Sequence, residues 1–201
     1  MKRASVIIPI ILIPMLLVTL TSFQVRDPQS GREAEKSTKL EAFLAKKGIL
    51  IIKELYGLGE VGGAYGSKVK IDAIVAYVPG KENLKIKGLR IEVTDSGRSQ
   101  TSLLDIDEAE SLSKALQYMI DLAKRWKKTG RRYTEVIFST KGGFKIGFYQ
   151  SGDKQTGFVS SGYIAETYCF FEDIDMMENP IVKLKFIKDM VDGGLKRLSG
   201  K

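Results

Sequence analysis

Two acidic motifs in this chain have the residue types and the spacing to bind a cation. The pattern Asp-x-Asp-x-x-Glu occurs at Asp105, Asp107 and Glu110, and again at Asp173, Asp175 and Glu178. Clustered carboxylates supply the oxygen ligands that Ca²⁺ prefers. The same residues have a structural interpretation, because Asp107 and Glu110 have the spacing of a helix capping box and acidic side chains stabilise helix N-termini. We favour helix capping and keep a metal site as the alternative.

A basic cluster between residues 124 and 132 has the composition of an anion-binding site. It consists of Lys124, Arg125, Lys127, Lys128, Arg131 and Arg132, and we call it the basic run. Trp126 lies inside the run and Tyr133 follows it. Cations next to aromatic rings bind phosphate groups or the headgroup layer of a membrane. Cations are also favoured at a helix C-terminus, so the run predicts either a binding site or a helix end.

The chain contains no histidine, which excludes several kinds of catalytic site. Ser-His and Cys-His nucleophiles, histidine zinc sites and the usual general base near neutral pH are all absent. An enzyme would have to use carboxylates, Lys, Tyr or Ser, and we see no paired site. The single cysteine, Cys169, cannot form an intramolecular disulfide and lies in an apolar strand-like segment, where we expect a buried thiol. No cofactor is expected.

Hydrophobic periodicity predicts the elements that must position these side chains. Thr38 and Glu41 have capping-box spacing before a short helix that ends near Lys47. Predicted strands cover 49–56, 69–78, 84–94, 101–104, 133–139, 144–150 and 157–171, the last with a break or bulge at Gly162, and predicted long helices cover 107–128 and 180–198. Strand alternation leaves open whether the aromatic residues Tyr77, Phe144, Phe148, Tyr149 and Tyr163 line a pocket or fill the core.

A glycine-rich segment matches the dinucleotide-binding fingerprint by its letters. The glycines are Gly57, Gly59 and Gly62. The fingerprint requires a helix to begin at the glycines, so that the helix N-terminus meets the pyrophosphate. A strand-like segment follows here instead. We therefore predict a flexible hairpin connection that contains these three glycines together with Gly63 and Gly66.

The first 22 residues predict export. Lys2 and Arg3 precede an apolar segment, residues 4–20, that contains no charged residue, and this is the organisation of a signal peptide. Cleavage near Ser22 would release a secreted or periplasmic protein. The segment is also near the lower length limit for an uncleaved membrane anchor, so both alternatives stay open. Residues 23–39 are expected to form a polar linker before a single α+β domain at 40–201.

The charge balance makes this a basic protein. The 201 residues include 32 Lys and Arg against 24 Asp and Glu, a net charge of +8. Loss of Lys2 and Arg3 with a signal peptide would leave 30 basic residues and a net charge of +6. This excess favours anionic partners, such as a membrane surface, an acidic glycan or nucleic acid, although dispersed charge also serves solubility alone.

An internal repeat is predicted by the spacing of the two acidic motifs. The second motif follows the first by 68 residues, and at the same offset Leu116 falls on Leu184 and Met119 on Ile187. The half-repeats would cover 48–129 and 130–198. The fold class expected is α+β: antiparallel sheets with two packed helices, in a duplicated unit of three or four strands followed by a helix.

This order of elements resembles the topology of the Whirly and PC4 families of single-stranded nucleic-acid-binding proteins. The resemblance concerns the strand-strand-strand-strand-helix order alone and no sequence motif. It implies a nucleic-acid-binding function, which the export segment opposes.

Three functions follow from these observations. The leading hypothesis is an exported, non-enzymatic binding module for a protein, a glycan or another anionic surface. The alternative is a single-stranded nucleic-acid-binding protein, and the second alternative is a small hydrolase that depends on carboxylates. The ligand is not identified by the sequence, and a homo-oligomer stays open.

Overall fold

The described part of the chain folds into two antiparallel sheets and three helices, which confirms the α+β prediction. The computed structural model describes residues 37–172 and 179–200. The elements are α1 (Lys39–Leu44), β1 (Ile52–Gly62), β2 (Lys68–Tyr77), β3 (Ile86–Asp95), β4 (Arg98–Asp105), α2 (Ile106–Trp126), β5 (Arg131–Ser139), β6 (Phe144–Gly152), β7 (Lys154–Ser161), β8 (Thr167–Phe171) and α3 (Pro180–Ser199). Short 3-10 turns lie at Ala64–Gly66 and Glu82–Leu84.

The first sheet contains β1 to β4 and the second contains β5 to β8, and in each the strands lie in chain order. Every pair of neighbouring strands is antiparallel, so short turns suffice to connect them. Between β3 and β4, Ser96 and Gly97 form the two-residue turn with φ of 48° and 78°. Two consecutive positive φ values are typical of the hairpin turns that match strand twist.

One continuous hydrophobic core joins the inner faces of both sheets to α2 and α3. The inner face of the first sheet contributes side chains such as Ile71 and Ile91, and that of the second contributes Phe144 and Phe148. The two long helices pack against each other, and α3 also packs on β1, β2 and β3 of the first sheet. Because the core spans both halves, most of the inner face of each sheet is covered by protein.

The helix α1 covers part of the outer face of the first sheet. Leu40 and Phe43 of α1 pack against Ile74 and Ala76 of β2 in a second, smaller apolar cluster. Thr38 is the N-cap of this helix, and the predicted capping box with Glu41 is confirmed by both of its hydrogen bonds. The helix ends at Leu44, earlier than the predicted Lys47.

The hairpin connection predicted at the glycine-rich segment is confirmed for Gly63 and Gly66, which lie between β1 and β2, and is wrong for the other three glycines. Gly57, Gly59 and Gly62 all lie within β1, with a register shift between Gly57 and Gly59 that marks a β-bulge. At Gly59 a Cβ atom would lie 2.7 Å from the sulfur of Met190 on α3. Glycine in this strand therefore permits a bulge and a close helix, two recognised uses of glycine in strands.

The break expected at Gly162 in the stretch 157–171 is confirmed. The stretch forms two strands, β7 and β8, because Gly162 with φ of 116° begins the connection between them, and β7 begins at Lys154, earlier than predicted. The helix α2 is capped by Asp105 and Glu108, rather than by Asp107 and Glu110. The acidic spacing predicted a cap correctly but placed it two residues too late.

Candidate functional site

Asp105 of the first acidic motif lies where β4, α1 and α2 meet and forms hydrogen bonds there. The two carboxylate oxygens of Asp105 accept backbone N–H bonds from Lys39 at 2.8 Å and from Leu40 at 3.0 Å, and Asp105 is also the N-cap of α2. In the described ranges, no three acidic or cysteine side chains are grouped so that they could hold a metal ion. The second motif, Asp173, Asp175 and Glu178, lies outside those ranges, so the calcium hypothesis stays a prediction.

The basic run lies at one end of the second sheet. Its members Lys124 and Arg125 are in the last turn of α2, and Arg131 and Arg132 begin β5. All six side chains are exposed. Arg131 is paired with Gly152 at the end of β6, and Lys154 begins β7 immediately beyond that point. The sheet thus adds Lys154 to the cations that the sequence predicted.

Two buried glutamines hold this end of α2 against the second sheet. The side-chain amide of Gln150 donates to the carbonyl oxygens of Trp126 and Thr129 at 3.2 and 2.9 Å. The amide of Gln155 donates to the Ala123 carbonyl and to the Gln150 side chain, both at 2.9 Å. The carbonyls of Ala123 and Trp126 also accept backbone N–H bonds, from Lys127 and Thr129, so the glutamines supply additional donors at this helix end. The basic run is therefore attached to the sheet at a fixed position.

A cation–π contact between Arg131 and Trp126 also connects the basic run to the core. The Arg131 guanidinium lies 4.1 Å from the centre of the Trp126 ring, and Trp126 meets Phe148 edge-on at 5.5 Å. A cation over an aromatic face is attracted by the ring's quadrupole. The start of β5 is thus connected through Trp126 to the core.

The outer face of the second sheet carries a group of aromatic and apolar side chains that we call the aromatic face. Its members alternate with the core residues of their strands, as the pleat requires. They are Tyr133, Ile137, Tyr149, Phe158, Tyr168 and Phe170. The exposed fractions are 63% for Tyr133, 49% for Ile137, 38% for Tyr168 and 36% for Phe170. Unlike the first sheet, this surface has no described helix packed on it.

The rings of the aromatic face form two pairs, with the buried ring of Phe158 between them. Tyr133 and Tyr149 have ring centres 5.5 Å apart, and Tyr168 and Phe170 stack at 5.6 Å with an interplanar angle of 7°. Between the pairs, the ring of Phe158 lies over Gly147, where a Cβ atom would be 3.0 Å from its Cζ. The rings therefore extend from β5 at one edge of the sheet to β8 at the other.

Polar groups on the same face are mostly paired. The Lys145 ammonium lies 2.5 Å from one oxygen of Glu166, and Tyr168 and Ser160 donate to the other oxygen at 2.6 and 3.0 Å. The Lys145 bond, with help from Tyr168, holds the pKa of Glu166 below its usual value. Tyr168 correspondingly has a raised pKa, chiefly because its hydroxyl bonds to Glu166. Glu135 remains as an exposed acid directly opposite Tyr149.

The structure divides the aromatic residues that the sequence left undecided. Phe144 and Phe148 are fully buried in the core, whereas Tyr149 lies on the aromatic face. Tyr163 lies in the β7–β8 connection, and its hydroxyl donates to the Lys141 carbonyl at 2.7 Å. Tyr77 of β2 donates to Glu54 at 2.9 Å and is far from this face in the topology. Cys169 is buried, as the sequence predicted.

Two other features could have carried chemistry. A groove of about 470 Å³ lies between β1 and α3, with Phe186 and Met190 among its lining residues.

The second feature is Glu108 at the start of α2. Burial raises the pKa of Glu108, the property expected of a catalytic acid. Its two oxygens, however, accept backbone N–H bonds from Lys141 at 2.7 Å and Asp105 at 3.3 Å. Glu108 therefore connects the start of α2 to the β5–β6 turn.

Comparisons with protein families, with curated proteins and with solved structures found no match to this chain. Across residues 37–172 and 179–200, no helix has both the length and the apolar composition that a membrane span requires. The surface just described is consequently the basis for inferring a function.

Proposed function

We propose that this protein is an exported binding module that holds its ligand across the aromatic face. The observation that carries the proposal is the exposure of Tyr133, Ile137, Tyr168 and Phe170 on one sheet surface. Clustered exposed apolar side chains mark interaction sites, and aromatic rings contribute most of the binding energy at such sites. Rings that already pack against each other lose little conformational freedom when a ligand binds.

The contrast between the two sheets supports this assignment. The apolar outer residues Ile74 and Ala76 of the first sheet are covered by Leu40 and Phe43 of α1. The protein thus covers the apolar outer residues of one sheet with a helix of its own. The exposure of the aromatic face is therefore better explained by an external ligand than by a lack of covering elements.

Export is the second part of the proposal and depends on residues 1–22. The basic start and the apolar segment 4–20 support transport across a membrane, with either cleavage near Ser22 or retention as an anchor. Cell fractionation and the intact mass of the recovered protein test this. A processed species beginning near Phe23, or a full-length species in the membrane, is expected. A full-length species in the cytosol would contradict export.

The binding surface is tested with two double variants of the full chain. The face variant carries Tyr133→Ala and Phe170→Ala, and the control carries Tyr118→Ala and Phe186→Ala, two similarly exposed rings on α2 and α3. Each protein is titrated against acidic and neutral oligosaccharides, single-stranded DNA and anionic lipid vesicles. We expect a ligand that the wild type and control bind and that the face variant binds at least tenfold more weakly.

Two results would overturn the surface assignment. One is the absence of binding to the whole panel, and the other is wild-type binding that the face variant retains. Loss of binding in the control alone would move the site to the groove between β1 and α3, because Phe186 lines that groove.

Single-stranded nucleic acid is the second candidate ligand. Exposed rings next to the basic run have the composition of sequence-independent single-strand binders, which combine base stacking with cationic contacts to the backbone. Such binding would weaken steeply as salt concentration rises. This candidate replaces the first if the protein is found in the cytosol at full length.

We also infer that the two halves arose by duplication. Each half consists of four antiparallel strands followed by a helix, and the matched pairs Leu116 with Leu184 and Met119 with Ile187 are buried in the same core. A sequence profile built from relatives of residues 48–129 should then detect residues 130–198. If it does not detect them, the spacing of the acidic motifs is a coincidence.

A further inference from the structure

Charge is distributed unevenly over the aromatic face and its borders. Arg132 and Lys154 are exposed beside the end that carries Tyr133 and Tyr149, and the rest of the basic run lies at the same end. Within the face, Glu135 is exposed opposite Tyr149. A ligand that fits this pattern has anionic groups near one border and neutral polar groups over the rings.

We infer that the ligand of the aromatic face is an acidic polysaccharide. Its sugar rings stack on Tyr133, Tyr149 and the Tyr168–Phe170 pair, its hydroxyl groups donate to Glu135, and its carboxylate or sulfate groups meet Arg132 and Lys154. This inference rests on the proposed function and adds the class of ligand.

The stacking step follows from the chemistry of the two surfaces. The face of an aromatic ring is electron-rich, and the C–H groups on one side of a sugar ring are weakly positive, so the two surfaces attract each other in addition to burying apolar area. The rings are spread over four adjacent strands, a distance of about 14 Å at the usual strand spacing. This length suits a chain of several sugars better than a single small molecule.

The acids on the face favour a sugar polymer over nucleic acid. Single-stranded DNA carries a phosphate on every residue and no free hydroxyl group along its backbone, so a strand lying along the rings would bring like charge to the exposed Glu135 without backbone hydroxyl donors beside it. Like charges at short range lower affinity. The hydroxyl groups of a polysaccharide instead donate to an exposed carboxylate, and charge-assisted bonds of that kind are stronger than neutral ones.

The test uses the full chain and three fluorescently labelled oligomers of equal length: oligogalacturonate, neutral maltooligosaccharide and oligo-dT. Affinity is measured by fluorescence polarisation at low and at physiological salt. The variants are Tyr133→Ala, the double variant Arg132→Gln with Lys154→Gln, and Glu135→Gln. Matched controls are Tyr118→Ala and the double variant Lys114→Gln with Lys185→Gln, which changes the net charge equally at exposed helix positions.

We expect oligogalacturonate to bind most tightly. Tyr133→Ala should weaken it on the order of tenfold, as loss of a stacking ring does. The double cation variant should weaken it roughly fivefold at low salt and less at higher salt, because the cations are exposed and screened. Glu135→Gln should strengthen any residual binding of oligo-dT by removing a like charge. The controls should leave all three affinities within about twofold.

Each contrary result has a distinct meaning. If oligo-dT binds more tightly than oligogalacturonate, if the neutral oligomer binds as well as the acidic one, or if no oligomer binds, the inference of an acidic polysaccharide is refuted. Where Tyr133→Ala still weakens whichever ligand does bind, the aromatic face remains the binding surface. Where binding of oligogalacturonate is unaffected by Tyr133→Ala, the proposed function fails together with the inference.

Discussion

Adjacent glycines in α3 allow the packing of this helix on the first sheet to be measured directly. A Cβ atom at Gly193 would have no neighbour within 4 Å, whereas at Gly194 it would lie 2.7 Å from a methyl group of Leu58 and from one of Leu89. Both glycines are within the helix, which continues to Ser199. Leu89 is fully buried, so its methyl group has no free space to move into.

The expected effects follow from two opposing contributions. Replacing glycine by alanine inside a helix raises the free energy of unfolding by about 1 kcal/mol. Gly193→Ala should show this gain alone. Gly194→Ala has the same gain but adds overpacking, which costs about 1–3 kcal/mol in a dense core. The helix contribution cancels when the two variants are compared, so Gly194→Ala should be less stable than Gly193→Ala by about 1–3 kcal/mol.

Urea unfolding followed by far-ultraviolet circular dichroism measures both variants under the same conditions. The slope against urea should be unchanged, so that the midpoint reports stability. A double-mutant cycle with Leu58→Ala separates this contact from the cost of truncating Leu58 itself. Gly194→Ala should destabilise less in the Leu58→Ala background than in the wild type, since one of the two methyl contacts is gone. Equal stabilisation by Gly193→Ala and Gly194→Ala would refute close packing of α3 on the first sheet.

Two further predictions concern carboxylates with structural partners. Asp105→Ala should lower the free energy of unfolding by about 2–4 kcal/mol, because it removes the cap of α2 and an acceptor of two α1 N–H groups. Hydrogen exchange of the Leu40 amide should accelerate in Asp105→Ala, and unchanged slow exchange there would contradict this account. In the control Glu110→Ala the free energy of unfolding should stay within about 0.5 kcal/mol of the wild-type value. Folding lowers the pKa of Glu166, chiefly because of its bond to Lys145. Ionised Glu166 therefore stabilises the folded protein fully above the unfolded pKa of about 4.3. This stabilisation is lost as the pH falls through the lower pKa of the folded state. In Lys145→Met the stability measured below about pH 4.5 should therefore fall less steeply than in the wild type, and parallel pH curves would contradict the prediction.

The order of elements could be predicted from the sequence because each long element has a strong period. The apolar stripe of α2, with Leu112, Leu116 and Met119 among its buried members, has helical spacing. Asn179 followed by Pro180 marks the start of α3, and the Asn179 side chain does accept the expected N–H, from Ile181. Local chemistry fixes both signals, so a single sequence is sufficient to read them.

The glycine-rich part of β1 could not be predicted, because the reason for it is tertiary. Gly59 and Gly62 lower strand propensity, and the sequence pattern accordingly favours a loop. The strand forms because β2 pairs with it along its whole length, and because α3 lies close enough that a side chain at Gly59 would meet Met190. A residue more than a hundred positions away thus decides the local structure.

The binding surface was only partly predictable for a related reason. In β8, aromatic side chains occupy both faces, with Tyr168 and Phe170 outside and Phe171 inside. An alternating pattern cannot identify the inner face when both faces are apolar. The anchoring role of Gln150 and Gln155 had no sequence signal either, since two glutamines near a turn are ordinary surface residues until the helix end is placed over them.

The location of the candidate surface follows from the architecture once each face is considered in turn. One core fills most of the inner faces of both sheets, which leaves the two outer faces and the groove between β1 and α3 as surfaces that can meet a ligand. On the first sheet, α1 covers the apolar end, and beyond it Asp72 is bonded to Arg90 at 2.9 Å with Lys70 close by. Those charges already satisfy one another, and a ligand would have to displace them at a cost in desolvation. On the aromatic face the Lys145–Glu166 pair lies beside Tyr168, but the exposed ring surfaces themselves are apolar, so a ligand that covers them displaces water rather than an ion pair. Exposing apolar rings to water is unfavourable for the free protein, and covering those rings with a ligand removes that cost. The aromatic face is therefore the surface where binding gains most.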